Sequence, residues 1–116
     1  MHPITRLLPG LLVAVLVTAC GGAPAASAPV VDIEATEFAF KPATVNLSAA
    51  GAATIRIVNK GIAEHDVTVD SIKFTVLAKP GESVSGTATF APGTYDFYCS
   101  IPGHKQAGMV GTITVK

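Results

Sequence analysis

The stretch KPGESVSGTATFAPG, from Lys79 to Gly93, sets the fold class. Val84, Gly86, Ala88 and Phe90 alternate with Ser85, Thr87 and Thr89, the period of two that sends apolar side chains to one face of a strand and polar ones to the other. A proline followed by a glycine stands at each end, Pro80-Gly81 and Pro92-Gly93. Proline presets one backbone angle and glycine accepts the positive one beside it, so both ends read as turns.

The same pattern recurs on either side. Val31, Ile33 and Ala35 alternate with Asp32 and Glu34, and Ile55 and Ile57 share one face of the run from Ala53 to Asn59. No stretch keeps the helical period long enough to make an amphipathic helix. The expected class is therefore all-β, two packed antiparallel sheets of about seven to eight strands. A folded part of about 87 residues buries roughly 60 to 65% of its unfolded surface, enough for a core that stands without a disulfide. Tyr95, just past the second turn, is placed for its hydroxyl to bond back to the loop in the manner of a tyrosine corner.

The chain has 116 residues, 49% hydrophobic and 14% charged, with eight basic side chains balancing eight acidic ones. That suits one domain and offers no basic surface for a phosphate backbone, so no nucleic-acid partner is expected. At the N-terminus, His2 and Arg6 precede an apolar run from Leu7 to Val17, too short to span a bilayer and followed by small residues, which reads as an export signal over residues 1–19. Val17, Thr18, Ala19 and Cys20 resemble the lipobox of bacterial lipoproteins, which implies cleavage before Cys20 and lipidation of that cysteine. An ordinary secretory signal, with Cys20 a free thiol or disulfide partner, is the alternative. From Gly21 to Pro29 only Gly, Ala, Pro and Ser occur, a composition with nothing to bury. The expected organisation is a signal peptide (1–19), a lipidated tether (20–30) and a folded domain (31–116), exported and lipid-anchored at the cell membrane on its periplasmic or extracellular side.

Past residue 19 the chain holds only His65, His104, Met109, Cys20 and Cys99 among the residues that bind soft or borderline metals. Cys99, His104 and Met109 fall in the pattern CxxxxHxxxxM, and His65 opens a strand upstream. Strand period places Cys99 in line with Phe97 and Tyr95, His65 with Val67 and Val69, and Met109 with Gly111, Ile113 and Val115. All aim at one core, and the turn at Pro102 and Gly103 carries His104 over them. One thiolate, two imidazoles and a weak thioether form the ligand set of a blue-copper electron-transfer site.

The loop from Tyr98 to Met109 resembles the copper loop of the cupredoxins, the group of plastocyanin, azurin and auracyanin. Its CxxxxH interval matches azurins and its HxxxxM interval plastocyanins. The segments from Glu37 to Pro42 and from Asn59 to Val67 also look like cupredoxin strands. The resemblance implies a two-sheet Greek-key cupredoxin sandwich, a single type 1 copper, His65, Cys99 and His104 as equatorial ligands and Met109 as the axial one. Many members carry asparagine after the upstream histidine, where it braces the copper loop. Asp66 stands there, so the resemblance does not carry the brace over, and a negative charge at this place is expected to favour Cu(II).

Zinc prefers closed tetrahedral Cys and His sites and has little use for a thioether. A cysteine nucleophile paired with histidine would leave Met109 unexplained. Four protein ligands leave no open position for a small-molecule substrate, so the reading is an electron carrier rather than an enzyme. The alternatives are an exported protein that stores or delivers copper, and a structural β-sandwich lipoprotein without metal. The expected partners are a redox donor and acceptor that dock transiently on a monomer, at a flat apolar patch around the His104 ring edge formed by Ile62, Ala63, Ile101, Pro102, Ala107 and Val110. Such encounters bury less than about 1,200 Å². The lipid on Cys20 supplies the membrane contact.

Overall fold

The computed structural model describes residues 27–116. The expected signal peptide, Cys20 and most of the expected tether therefore lie outside the described residues.

The strands are β1 (Val30–Thr36), β2 (Ala39–Lys41), β3 (Thr44–Leu47), β4 (Gly51–Asn59), β5 (His65–Val69), β6 (Phe74–Ala78), β7 (Ser83–Phe90), β8 (Gly93–Tyr98) and β9 (Val110–Val115), with a 3-10 turn at Asp70–Ile72. They form two sheets, ordered β2-β1-β4-β7 and β3-β9-β8-β5-β6. The Lys79–Gly93 stretch is β7 with its two turns, and β7 lies antiparallel to β4 with Ile57 opposite Val84 and Ile55 opposite Gly86. The additional strand beyond the expected number is the three-residue β2, cut short before Pro42.

Both sheets are mixed rather than purely antiparallel: β1 runs parallel to β4, and β3 parallel to β9. Alternation marks which face of a strand is buried but carries no direction, because parallel and antiparallel neighbours present the same period. Direction is decided by the chain leaving the first sheet after β2, adding β3 to the second, and returning as β4 beside β1.

The core lies between the sheets. Ile33, Ala35, Ile55, Ile57 and Phe90 from the first face Val67, Val69, Phe97, Ile113 and Val115 from the second. Phe97 lies opposite Gly111 across β8 and β9. Any Cβ at Gly111 would run into the Phe97 ring and come within 2.6 Å of the Ala43 carbonyl, so the glycine is what admits the ring. Burying a phenylalanine here contributes about 1.5–3 kcal/mol. The Tyr95 hydroxyl donates to the Ala91 carbonyl at 2.8 Å, and its ring meets Phe90 edge-on at 5.3 Å, so the tyrosine corner is present.

Candidate metal centre

At one end of the sandwich β5, β8 and the loop between β8 and β9 deliver His65, Cys99, His104 and Met109. His65 opens β5, and Cys99 immediately follows β8 in phase with Phe97. The strand period therefore does what the sequence predicts: His65, Cys99 and Met109 are 0% exposed. The loop is closed by its own backbone. Cys99 N–H donates to the Met109 carbonyl and Met109 N–H to the His104 carbonyl, each at 3.1 Å. Gly103 and Gly108 take φ of +86° and +103°, which side-chain-bearing residues rarely adopt, and so turn the chain on either side of His104.

The Nδ1 atom of His104 lies 3.5 Å from Cys99 Sγ and that of His65 4.0 Å from it. The ligand atoms of His65, Cys99 and His104 are all within 4.8 Å of one another. Donors bonded to a common ion at about 2.0–2.3 Å, the range for first-row metals, stand about 3.5–4 Å apart in a trigonal plane. The spacing fits a metal. So does the chemistry of the sulfur: burial pushes the Cys99 thiol above its ordinary value, against backbone N–H groups of Asp66 and Ile101 that lower it. A bound cation is the partner that makes a thiolate favourable in such a place. The Met109 thioether is buried in the core cluster with Cys99.

Asp66 is only 2% exposed although strand phase turns it away from the core, and all five residues of β5 are buried. Its backbone N–H points at Cys99 Sγ at 3.5 Å. Its carboxylate accepts from the Ser100 backbone N–H at 2.7 Å, from the Ser100 hydroxyl, and from the Thr68 hydroxyl at 3.1 Å. The brace that the asparagine-to-aspartate departure left unassigned is in place, made by a carboxylate.

Other residues that shape the site escape a reading of the sequence. Asn59, 2% exposed, donates to the carbonyls of Ala63 and Ala78 and accepts from Gly61 N–H, pinning the loop that leads to His65. From the turn between β1 and β2, Glu37 reaches His65 Nε2 at 3.0 Å, and the Phe38 ring meets His104 edge-on with centroids 4.9 Å apart. Their only sequence signal is membership of the Glu37–Pro42 segment.

His104 retains 9% exposure, against none for the other three. Ile62 is 90% exposed, Val110 and Phe38 are open to solvent, and Ile101 and Ala63 are half-buried. Lys105 does not stand free over the loop, because its ammonium sits 4.1 Å above the Tyr98 ring.

A model of the cupredoxin-like domain matches residues 10–115. The copper-resistant cuproprotein CopI of Pseudomonas aeruginosa is 54% identical over a segment that is 36% of this chain and 24% of that protein. Auracyanin-B of Chloroflexus aurantiacus likewise matches over only 21% of its length, so the chain spans less than a quarter of these relatives. Plastocyanin of Prochlorothrix hollandica is 32% identical across 96% of this chain and 93% of its own. A solved structure of auracyanin B superposes with a TM-score of 0.68 at 26% identity, covering 77% of this chain and 89% of that one. The fold, the convergent His-Cys-His donors compatible with a single type 1 copper, and a match along nearly the whole sequence agree: this chain belongs to the cupredoxin-like family.

Proposed function

We propose that the protein is an electron carrier, mobile or tethered to a membrane through lipid on Cys20, in which His65, Cys99 and His104 hold one copper ion with Met109 as the weak fourth ligand. The observation that carries this reading is the meeting of two Nδ1 atoms and one Sγ in a buried corner where, among the described residues, His104 is the most exposed of the four. Copper bound there supplies a one-electron couple, Cu(II)/Cu(I). His65 at the start of β5 and Cys99 directly after β8 of the same sheet would hold their donors at nearly fixed separation, which keeps reorganisation small. Burial excludes water, and four protein ligands leave no position open for a substrate.

The reading places brief docking of a redox donor or acceptor at His104, supported by its contact with the Phe38 ring and by the exposed apolar side chains of Phe38, Ile62 and Val110. With balanced charge overall, steering is weak and the transfer rate varies only modestly with salt. An exported location follows from the signal-like residues 1–19 and the lipobox at Cys20.

The test is addition of Cu(II) to the purified domain. Intense blue colour that bleaches on reduction and returns on oxidation supports the carrier. The similarity to CopI favours a second reading, copper storage or delivery, which gives uptake that a chelator reverses quickly and no cycling colour. Absence of uptake refutes both.

A further inference from the structure

Glu37 lies well outside the four-residue metal set, yet one oxygen of its carboxylate gathers the whole approach to His65. Oε1 accepts the backbone N–H groups of Ile62 at 2.7 Å and Ala63 at 2.9 Å, and sits 3.0 Å from His65 Nε2. Gly61 makes the fit possible, since a Cβ there would collide with the Glu37 carboxylate. The side chain is 29% exposed, while the His65 imidazole it touches is fully buried.

From this geometry we propose that Glu37 is a positioning residue for His65: it fixes the proton on Nε2, turns Nδ1 toward Cys99, and biases the site toward its oxidised state by its negative charge. The inference rests on the copper reading above and extends it to a residue of the β1–β2 turn.

The two ring nitrogens of His65 take opposite roles. Oε1 of Glu37 already accepts the backbone N–H groups of Ile62 and Ala63. An oxygen so engaged meets a third polar group only as an acceptor. Nε2 must then carry the hydrogen, and in the neutral ring the lone pair is left on Nδ1, the atom that faces Cys99 Sγ. A carboxylate behind a histidine ligand also raises the basicity of the ring, which stabilises the higher-charged metal state more than the lower. The two backbone bonds keep the carboxylate from swinging away, so the histidine meets a fixed acceptor.

Two variants test it. In metal-free protein in mildly alkaline buffer, nitrogen-15 correlation spectra of His65 should show one Nε2–H tautomer in the parent and in Glu37→Gln, whose amide oxygen can still accept. Glu37→Ala should show a tautomer mixture and bind copper about 10–100-fold more weakly. Glu37→Gln should keep the absorption spectrum and raise the midpoint potential, because charge is lost while geometry stays. An unchanged tautomer and affinity in Glu37→Ala overturns the positioning role. An unchanged or lower potential in Glu37→Gln overturns the charge bias, and this variant decides if the alanine variant fails to fold. The tautomer comparison needs no copper, so it stands even if the parent takes up copper without blue colour and the carrier reading falls.

Discussion

Asp66 and Ser100 are joined twice: the Asp66 carboxylate accepts both the backbone N–H and the hydroxyl of Ser100, the residue that follows Cys99. A buried acid thus ties β5 to the loop that presents the sulfur and leaves a carboxylate beside the metal corner.

Replacing Asp66 with Asn keeps an acceptor oxygen for the Ser100 N–H but removes the charge, so the midpoint potential of the copper protein should rise. Redox titration checks it, and an unchanged or lower value contradicts it. Asp66→Ala should cost more, about 1–3 kcal/mol of stability in urea unfolding, because the Ser100 N–H and hydroxyl lose their acceptor.

Phe38 covers one edge of His104. Phe38→Ala should leave the blue spectrum nearly unchanged yet speed copper removal by a strong chelator roughly tenfold, as the imidazole loses a packing neighbour and gains water. Stopped-flow bleaching in excess chelator measures this, and equal rates would show that the ring protects nothing.

Gly111→Ala should destabilise the domain by about 1–3 kcal/mol, because the new methyl meets an aromatic ring and a backbone carbonyl, neither of which can yield freely. A lowered urea midpoint with an unchanged slope is expected. Gly51→Ala, where a Cβ meets nothing within 4 Å but φ is +129°, separates backbone strain from collision.

Copper should stabilise the folded domain, and so raise its melting temperature, with the logarithm of its free concentration, by about 2.7 kcal/mol at one hundred times Kd. Cys99→Ser should abolish the colour and most of this gain while still folding, since the core between the sheets does not depend on the ion. Differential scanning calorimetry with and without copper distinguishes the two proteins, and chelator treatment of the parent should return it to the metal-free melting temperature.

Acid should act partly through the surface pairs that join β1 to Arg56 on β4 and to Lys60 just beyond it. Hydrogen bonds from Arg56 and Lys60 hold Asp32 and Glu34 below their ordinary values of 3.8 and 4.5. A carboxylate depressed in the folded state adds stability that is present above its unfolded value and lost as pH falls through its folded value. The parent should therefore lose stability more steeply below about pH 4.5 than the Asp32→Asn, Glu34→Gln double variant. Both pairs are open to solvent, so the difference is small and should shrink further in high salt.

Much of the metal corner is legible along the chain. Cys99, His65 and Met109 sit on or next to strands, where a period of two fixes which side chain faces inward, and each is fully buried as that period requires. His104 is legible through the glycines that bend its loop. Glu37 and Phe38 are not, because nothing local to the β1–β2 turn says which loop it will meet.

What the sequence determined by itself is periodic or compositional: the strands, their inward faces, the turn at each end of β7, and a spacing of rare sulfur and nitrogen donors that suits a soft or borderline metal. What the tertiary structure decided is direction and encounter. The parallel pairing of β1 with β4 carries the β1–β2 turn to the entrance of β5, setting Glu37 against His65 and Phe38 against His104. In the other sheet, the pairing of β5 with β8 brings Ser100 to Asp66. Alternation is a property of one strand and can be read along the chain, whereas a contact between residues 28 or 34 positions apart depends on how the chain crosses between sheets, which no local pattern encodes.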